Sequence, residues 1–189
     1  MKYLMNMGLV AGLSMMVALF PAATRAQTSP DSAAIVMKDA CTQASAANKK
    51  VFVLFHASWC GWCRRMDSLM GDAVCKDLFD RYYVIRHLTI LESPDKKDLE
   101  NPGALDLYLK YAGSKNEGIP FWLIIDGDGT ILADSRIKPD GAAPGSSGAN
   151  TGCPDKPDEV AYFVKVLEHT SGLSSDQLGV IAGQFSRKH

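Results

Sequence analysis

Two periods of apolar and polar residues run along this chain. Val51–Phe55, V-F-V-L-F, is an unbroken apolar run after two lysines. Its length and its β-branched and aromatic content favour a strand buried on both faces. Phe121–Ile125 reads the same way, and Tyr83–Leu91 reads as a further strand. The helical period appears elsewhere. Alanine-rich Ser32–Asn48 predicts a helix capped by Asp31 or Ser32. Arg64–Met70 sets Met66, Leu69 and Met70 on one face, Gly71-Asp72 breaks it, and Val74–Tyr82 predicts a second short helix. Glu92–Asn101 is a polar loop, and Gly103–Tyr111 is helical with Pro102 near its start. Val160, Phe163, Val164 and Leu167 mark an amphipathic helix. Ser174 and Gln177 form a capping box for a last helix through Phe185.

After Phe121–Ile125 comes the turn signal Asp126–Gly129, then Thr130–Ala133, so the pattern predicts a β-hairpin. A strand–helix–strand unit followed by a hairpin implies an α/β fold, a mixed central sheet flanked by helices on both faces. Residues 138–157 are rich in Gly, Pro and Ser and predict a flexible surface loop, an insertion that holds Cys153. Residues 172–189 form a C-terminal helical extension. No internal repeat is visible.

The length, 189 residues, suits one well-cored domain, here 27–189. A formal net charge of -1 marks neither a nucleic-acid surface nor an acidic tail. Residues 1–26 stand apart. Lys2 precedes an uncharged stretch with an apolar centre, Leu9–Phe20, then Pro21 and the small-x-small site Thr24-Arg25-Ala26. This is the pattern of a signal peptide cleaved after Ala26 for export, periplasmic or secreted; Pro21 and Asn6 argue against a lasting membrane anchor. Cleavage removes two cations, Lys2 and Arg25, and no acid, so the net charge moves from -1 to -3.

All five cysteines lie beyond the leader: Cys41, Cys60, Cys63, Cys75 and Cys153. Export permits disulfides, and an odd number leaves at least one thiol unpaired within the chain. Cys41 and Cys75 fall in predicted helices, the usual place of buried free thiols. Cys153, in its loop, is expected to pair, with Cys41 or with Cys75.

Cys60 and Cys63 stand in H-A-S-W-C-G-W-C-R-R-M-D, each after a tryptophan. Zinc needs four ligands, and one C-x-x-C with three scattered cysteines does not supply them. A merely structural bridge over so short a loop removes little unfolded-state entropy. Asp126-Gly-Asp-Gly-Thr130 opens like a calcium loop, but its twelfth position is Ile137 rather than glutamate. Redox exchange fits better. It needs an exposed, acidic thiol and a second one close behind to resolve the mixed disulfide. A cysteine at a helix N-terminus meets free N–H groups that favour its thiolate, and i+3 places the second on the same side. Cys60 is then the attacking sulfur and Cys63 the resolving one, with Arg64 and Arg65 adding positive charge.

The strand followed by W-C-G-W-C resembles the active-site strand and helix of the thioredoxin superfamily. G-I-P-F-W-L-I-I-D-G-D-G resembles the family's second signature. The resemblance covers roughly residues 33–170 by element order and is nearest to exported single-domain thioredoxin-like proteins. It implies a thioredoxin-like fold with an extra C-terminal helix. It also implies a cis bond before Pro120, which the base rate of about 5% for such bonds would not suggest, and substrate pairing with the backbone of Ile119. Trp62 is expected to line the substrate surface, and Trp59 to pack beside the site. Gly61 and His56 are supporting positions. Leu54 stands where many thioredoxins carry a buried acid, so a base for Cys63 is missing there; His56 is either that base or a packed residue.

The implied activity is that of an exported thiol–disulfide oxidoreductase acting on protein disulfides or dithiols, with no cofactor and no metal. Gly61 and Trp62 carry no charge between the sulfurs. Strong oxidants of the family often have histidine there, so the expectation leans to a reductant or isomerase-like role, re-reduced by a membrane redox partner. The alternative is a redox-inactive peptide-binding or chaperone-like module using the same proline groove.

Overall fold

The computed structural model describes residues 29–187; the expected leader, 1–26, lies outside them. Helix α1 (Ala33–Ala47) leads into strand β1 (Lys50–His56), and then come α2 (Gly61–Met70), α3 (Lys76–Tyr82) and β2 (Tyr83–Thr89). Next are α4 (Ala104–Ala112), β3 (Phe121–Ile125), β4 (Ile131–Asp134), the short β5 (Arg136–Ile137) and β6 (Ala149–Asn150), then α5 (Pro157–Thr170) and α6 (Ser175–Phe185). The main sheet has the order β2-β1-β3-β4. β1 runs parallel to β2, Lys50 opposite Tyr83 through His56 opposite Thr89. It runs antiparallel to β3, Val51 opposite Ile125 through Phe55 opposite Phe121. A parallel pair needs a crossover, and α2 and α3 supply it.

β1 and β3 are apolar throughout because both their faces are covered. Phe52, Leu54, Trp122 and Ile124 face Met66 of α2, Phe79 of α3, Phe163 of α5 and Ile181 and Phe185 of α6. Val51, Val53, Phe55, Phe121, Leu123 and Ile125 share the opposite core with Ala40 and Ala44 of α1 and Tyr108 and Ala112 of α4. The alternation follows from the two-residue period of a strand. Phe52 sits at the centre of the first core, its ring centroid 5.7–6.4 Å from those of Phe79, Tyr83, Trp122 and Phe163. Ser32 caps α1 through the Ile35 N–H, and Ser174 and Gln177 form the capping box of α6. The arrangement is a thioredoxin-like fold with one further helix, α6, packed on α5.

Several boundaries differ from the sequence expectation. α2 begins at Gly61 with Cys60 as its N-cap, as expected of a pair that opens a helix, and so starts before the Arg64–Met70 stretch that the apolar spacing marked. β2 ends at Thr89, where Leu91 turns into the left-handed region at φ 55°. The polar stretch after it contains a 3-10 turn, Pro94–Leu99.

The larger correction concerns residues 138–157. They were expected to form a loose loop with a paired Cys153. Instead β5 and β6 pair across the segment, and Thr151 N–H donates to the Ser135 carbonyl at 2.7 Å. Fully buried Asp134 accepts from Lys138 Nζ at 2.5 Å and Gly145 N–H at 2.6 Å. The Arg136 guanidinium reaches the carbonyls of Ala112 and Ser146. Cys153 is a free thiol, only 4% exposed, packed in the core that holds Met66 and Phe163. Burial pushes its pKa up to about 11 despite the nearby Arg65 guanidinium. Cys41, half-buried, and Cys75, buried, are free as well.

Candidate active site

The crossover places the N-terminus of α2 just beyond the C-terminal end of β1. Four residues, 57–60, join them. Cys60 N–H donates to the Ala57 carbonyl at 3.0 Å, making a tight turn. Cys60 and Cys63 are bonded, Sγ to Sγ at 2.02 Å. Cys60 Sγ also accepts the Cys63 N–H at 3.1 Å, so one of the free amides of the helix start is spent on the Cys60 sulfur.

Residues 59 and more apart in sequence meet here. The Ile119–Pro120 bond is cis, as the resemblance implied. The Ile119 carbonyl oxygen lies 3.6 Å from Cys60 Sγ, and Ala57, Cys60, Cys63 and Ile119 pack as one small cluster. Cys60 is 3% exposed in the disulfide. An exposed sulfur was expected, and the packing of Ala57 and Ile119 around it accounts for the difference.

The two tryptophans beside the pair are both outside the core. Trp59 is 56% and Trp62 52% exposed, whereas Trp122 is fully buried. Trp59, expected to pack, instead anchors by its edge, Nε1–H donating to the Leu91 carbonyl at 2.8 Å. Trp62 lies under the Arg65 guanidinium, 5.6 Å from ring centroid to Cζ. With Gly118, Ile119 and Pro120 it walls a groove of about 280 Å³, closed on the other side by Asn150, Thr151, Gly152 and Cys153. A larger cavity, about 420 Å³, lies between residues 138–144 and α5 and touches neither Cys60, Cys63 nor Pro120.

The insertion is fastened to the proline. Asn150 Nδ2 reaches the carbonyls of Glu117 (3.0 Å), Pro120 (3.3 Å) and Gly118 (3.4 Å), and Asn150 Oδ1 accepts the Gly152 N–H. Trp122 Nε1–H donates to the Gly152 carbonyl at 3.0 Å. A β-carbon at Gly152 would lie 3.5 Å from the Pro120 oxygen, on a backbone at φ 56° that favours glycine.

Both arginines turn from the sulfurs. Arg64 Nη1–H donates to the Ser58 carbonyl at 2.8 Å. Arg65 donates to Asp155 at 3.1 Å and to the Arg187 carbonyl at 2.9 Å. His56, at the end of β1, hydrogen-bonds Thr89 Oγ1 at 3.1 Å. Its ring stands edge-on to His87, 5.1 Å away, and His87 contacts Asp67 of α2 at 2.7 Å. Burial, then the neighbouring His87, lower the His56 pKa, with Asp67 and Glu92 opposing. Gly61 opens α2, and a β-carbon there would be in ordinary contact with Arg64 Nη2 at 3.9 Å.

Sequence reasoning missed Glu92 and Asn150. Glu92 is 4% exposed and its two oxygens accept the Ser58 N–H and, at 2.8 Å, the Ser58 hydroxyl. No local pattern marks it, since its partner is 34 residues away. Among the described residues no three His, Cys, Asp or Glu side chains are grouped to hold a metal ion, and no helix is long and apolar enough to cross a membrane.

No family model matches the chain, and comparison with curated proteins gives no match. Among solved structures, a disulphide isomerase from Xylella fastidiosa Temecula1 is similar at 20% identity and TM-score 0.44, over 62% of this chain and 80% of that one. A DsbH oxidoreductase is similar at 18% identity and TM-score 0.42, over 82% and 92%. A thioredoxin from Thermus thermophilus is similar at 20% identity and TM-score 0.40, over 69% and 80%. The thioredoxin-like assignment stands on the strand order β2-β1-β3-β4, the Cys60–Cys63 pair at the start of α2 and the cis Ile119–Pro120 bond beside it.

Proposed function

We propose that the protein is a thiol–disulfide oxidoreductase working on protein disulfides, in the reducing or isomerising direction. The observation that carries this is the Cys60–Cys63 disulfide at the N-terminus of α2, with Cys60 Sγ 3.6 Å from the carbonyl of the residue before cis-Pro120. In the reduced protein the Cys60 thiolate attacks one sulfur of a substrate disulfide. A Cys60–substrate bond forms, the substrate S–S bond breaks, and the other substrate sulfur leaves as thiolate and takes a proton. Cys63, deprotonated, then attacks Cys60 Sγ. The Cys60–Cys63 bond forms and the second substrate sulfur leaves. Two electrons pass from the dithiol to the substrate, and no further group is needed to hold them.

Ile119 supports this by its place. Among the described residues its N–H and C=O take no part in backbone pairing, so neither is committed to a strand of this chain, the arrangement an extended substrate chain would use. Trp62 and Pro120 flank the same groove. The leader pattern of residues 1–26 supports export, and a reductant outside the cytoplasm requires a membrane donor of electrons to restore its dithiol.

Cys63→Ala tests the reading. It leaves Cys60 able to attack but removes the resolving sulfur, so mixed disulfides on Cys60 accumulate in the producing cell. Their identification by mass spectrometry names the substrates. Absence of any mixed disulfide, with partners retained by a Cys60→Ser, Cys63→Ser protein, overturns the redox reading in favour of a binding module.

A further inference from the structure

Three charged residues are buried among the described residues, all at or near the sheet's ends: Asp134, Arg136 and Glu92. Asp134 is paired with Lys138, and Arg136 with Glu117. Glu92 forms no ion pair among the described residues. It is spent instead on the turn that carries the nucleophile. Its two oxygens accept the N–H and the hydroxyl of Ser58, two residues before Cys60. Its own N–H is held by Glu100 Oε1 at 2.7 Å. The preceding residue, Leu91, accepts the Trp59 indole N–H. Leu91-Glu92 thus grips Ser58-Trp59 from one side, and Arg64 holds the Ser58 carbonyl from another.

We propose that Glu92 is a positioning residue for the nucleophile, whose buried carboxylate charge disfavours the Cys60 thiolate and keeps the dithiol weakly acidic.

The reasoning is electrostatic. A negative charge near a thiol favours its neutral form, and a buried charge is screened far less than an exposed one. The groups around Cys60 divide on that basis. From α2 come Arg64, exposed on the Ser58 carbonyl, and Arg65, directed at Asp155. Across the groove Lys156 pairs with Glu159. Beneath α2, His87 pairs with Asp67, and His56 is lowered in pKa by burial first. Each of these is solvated, paired or disposed towards its neutral form. Beside Glu92 itself, Glu100 accepts the Glu92 N–H and is paired with Lys97. Glu92 is buried and, among the described residues, has no cation partner, so its charge at the turn is not offset by an ion pair. A high thiol pKa leaves the reduced form without the thiolate stabilisation that makes a dithiol oxidising. The inference therefore deepens the reducing direction, and it rests on the reading of Cys60 as the attacking sulfur.

The experiment reads the pH dependence of Cys60 alkylation by iodoacetamide in the reduced full-length protein, resolved by site. Glu92→Gln keeps the shape and an acceptor for Ser58 while removing the charge. It is expected to lower the Cys60 pKa by about one unit, which is about tenfold more thiolate well below the pKa. Ser58→Ala removes one hydrogen bond and keeps the charge, so its thiolate fraction stays within about twofold of wild type on the same scale. Glu92→Asp, retaining the charge, follows wild type. A Glu92→Gln profile superimposed on wild type overturns the proposal, as does a Ser58→Ala shift as large as that of Glu92→Gln. If Glu92→Gln does not fold, the wild-type value decides. It is expected at about 8 or above, near a free cysteine, and a value below about 7, within the range of activated thiols, overturns the proposal. A protein that forms mixed disulfides while failing these tests refutes the role of Glu92 alone.

Discussion

Asn150→Ala removes the fastening between the 138–157 insertion and the cis-proline. Asn150 Nδ2 has two hydrogens and three carbonyls within reach, and Oδ1 accepts the Gly152 N–H at 3.0 Å. Truncation therefore loses about three hydrogen bonds at roughly 0.5–1.5 kcal/mol each, about 1.5–4.5 kcal/mol in all. The freed carbonyls of Glu117 and Gly118 lie in a partly exposed turn and regain water, so the effect falls at the lower end, about 2 kcal/mol. For a chain of this size that lowers Tm by roughly 4–8 °C. If the loss is confined to opening of the insertion, exposure of the segment rises by about thirtyfold at 2 kcal/mol. Cys153 reports it, since it lies three residues on and is 4% exposed. Its reaction with a thiol reagent is measured at fixed pH in the oxidised protein, where Cys60 and Cys63 are silent. Faster labelling of Cys153, with Cys41 as internal reference, is expected together with the lower Tm. A change under about 0.5 kcal/mol and unaltered Cys153 labelling would show that the segment does not depend on Asn150, and the structural reasoning would be wrong.

Two further outcomes follow from buried charge. Lys138→Met leaves the fully buried Asp134 with its two backbone N–H donors but no cation; it is expected to destabilise by about 3–5 kcal/mol in urea unfolding at pH 7, and the Asp134→Asn, Lys138→Met pair by distinctly less. His56→Gln tests the histidine on the α2 side of the sheet. Its folded pKa is depressed, so below its ordinary value of 6.5 the unfolded chain binds the proton more readily and stability falls as pH falls. The contribution is complete above 6.5 and lost as pH drops through the folded value. The variant should show a flatter decline between pH 6.5 and 5 in urea midpoints, and an unchanged decline refutes the assignment to His56.

What the sequence displayed was decided by local pattern. β1 and β3 were legible because burial on both faces makes a strand apolar at every position, and few other elements of five residues do so. The pair Cys60 and Cys63 was legible because spacing, strand and helix are contiguous. The hidden part was fixed by contacts across the chain. Glu92 sits in L-E-S-P-D-K-K, a stretch whose average is polar, yet its carboxylate is buried on Ser58, 34 residues earlier. Asn150 and Cys153 sit in a Gly, Pro and Ser background that signals solvent, while Asn150 bonds Pro120, 30 residues back. Composition reports what most residues of a segment prefer. It does not report one polar side chain whose hydrogen bonds, or one thiol whose burial, decide where the segment lies.

The same distinction applies to the sulfurs. C-x-x-C is nearly symmetric in sequence, with a tryptophan before each cysteine and two arginines after the second. The arginines suggested a positive field over both sulfurs, but one is turned to the Ser58 carbonyl and the other to Asp155. The fold then treats the two positions differently. Cys60 caps α2, accepts the Cys63 N–H and rests near the Ile119 carbonyl, on a turn whose stem is bound by the Glu92 carboxylate. Cys63 lies inside the helix at 1% exposure. Leu54, below the pair in β1, is packed among apolar side chains and offers no charge. On the proposal made for Glu92, the charge that biases the dithiol sits instead in the loop after β2, on the Ser58 turn that leads to Cys60. The difference between the two cysteines then lies in contacts made across the chain, which the near-symmetric motif does not display.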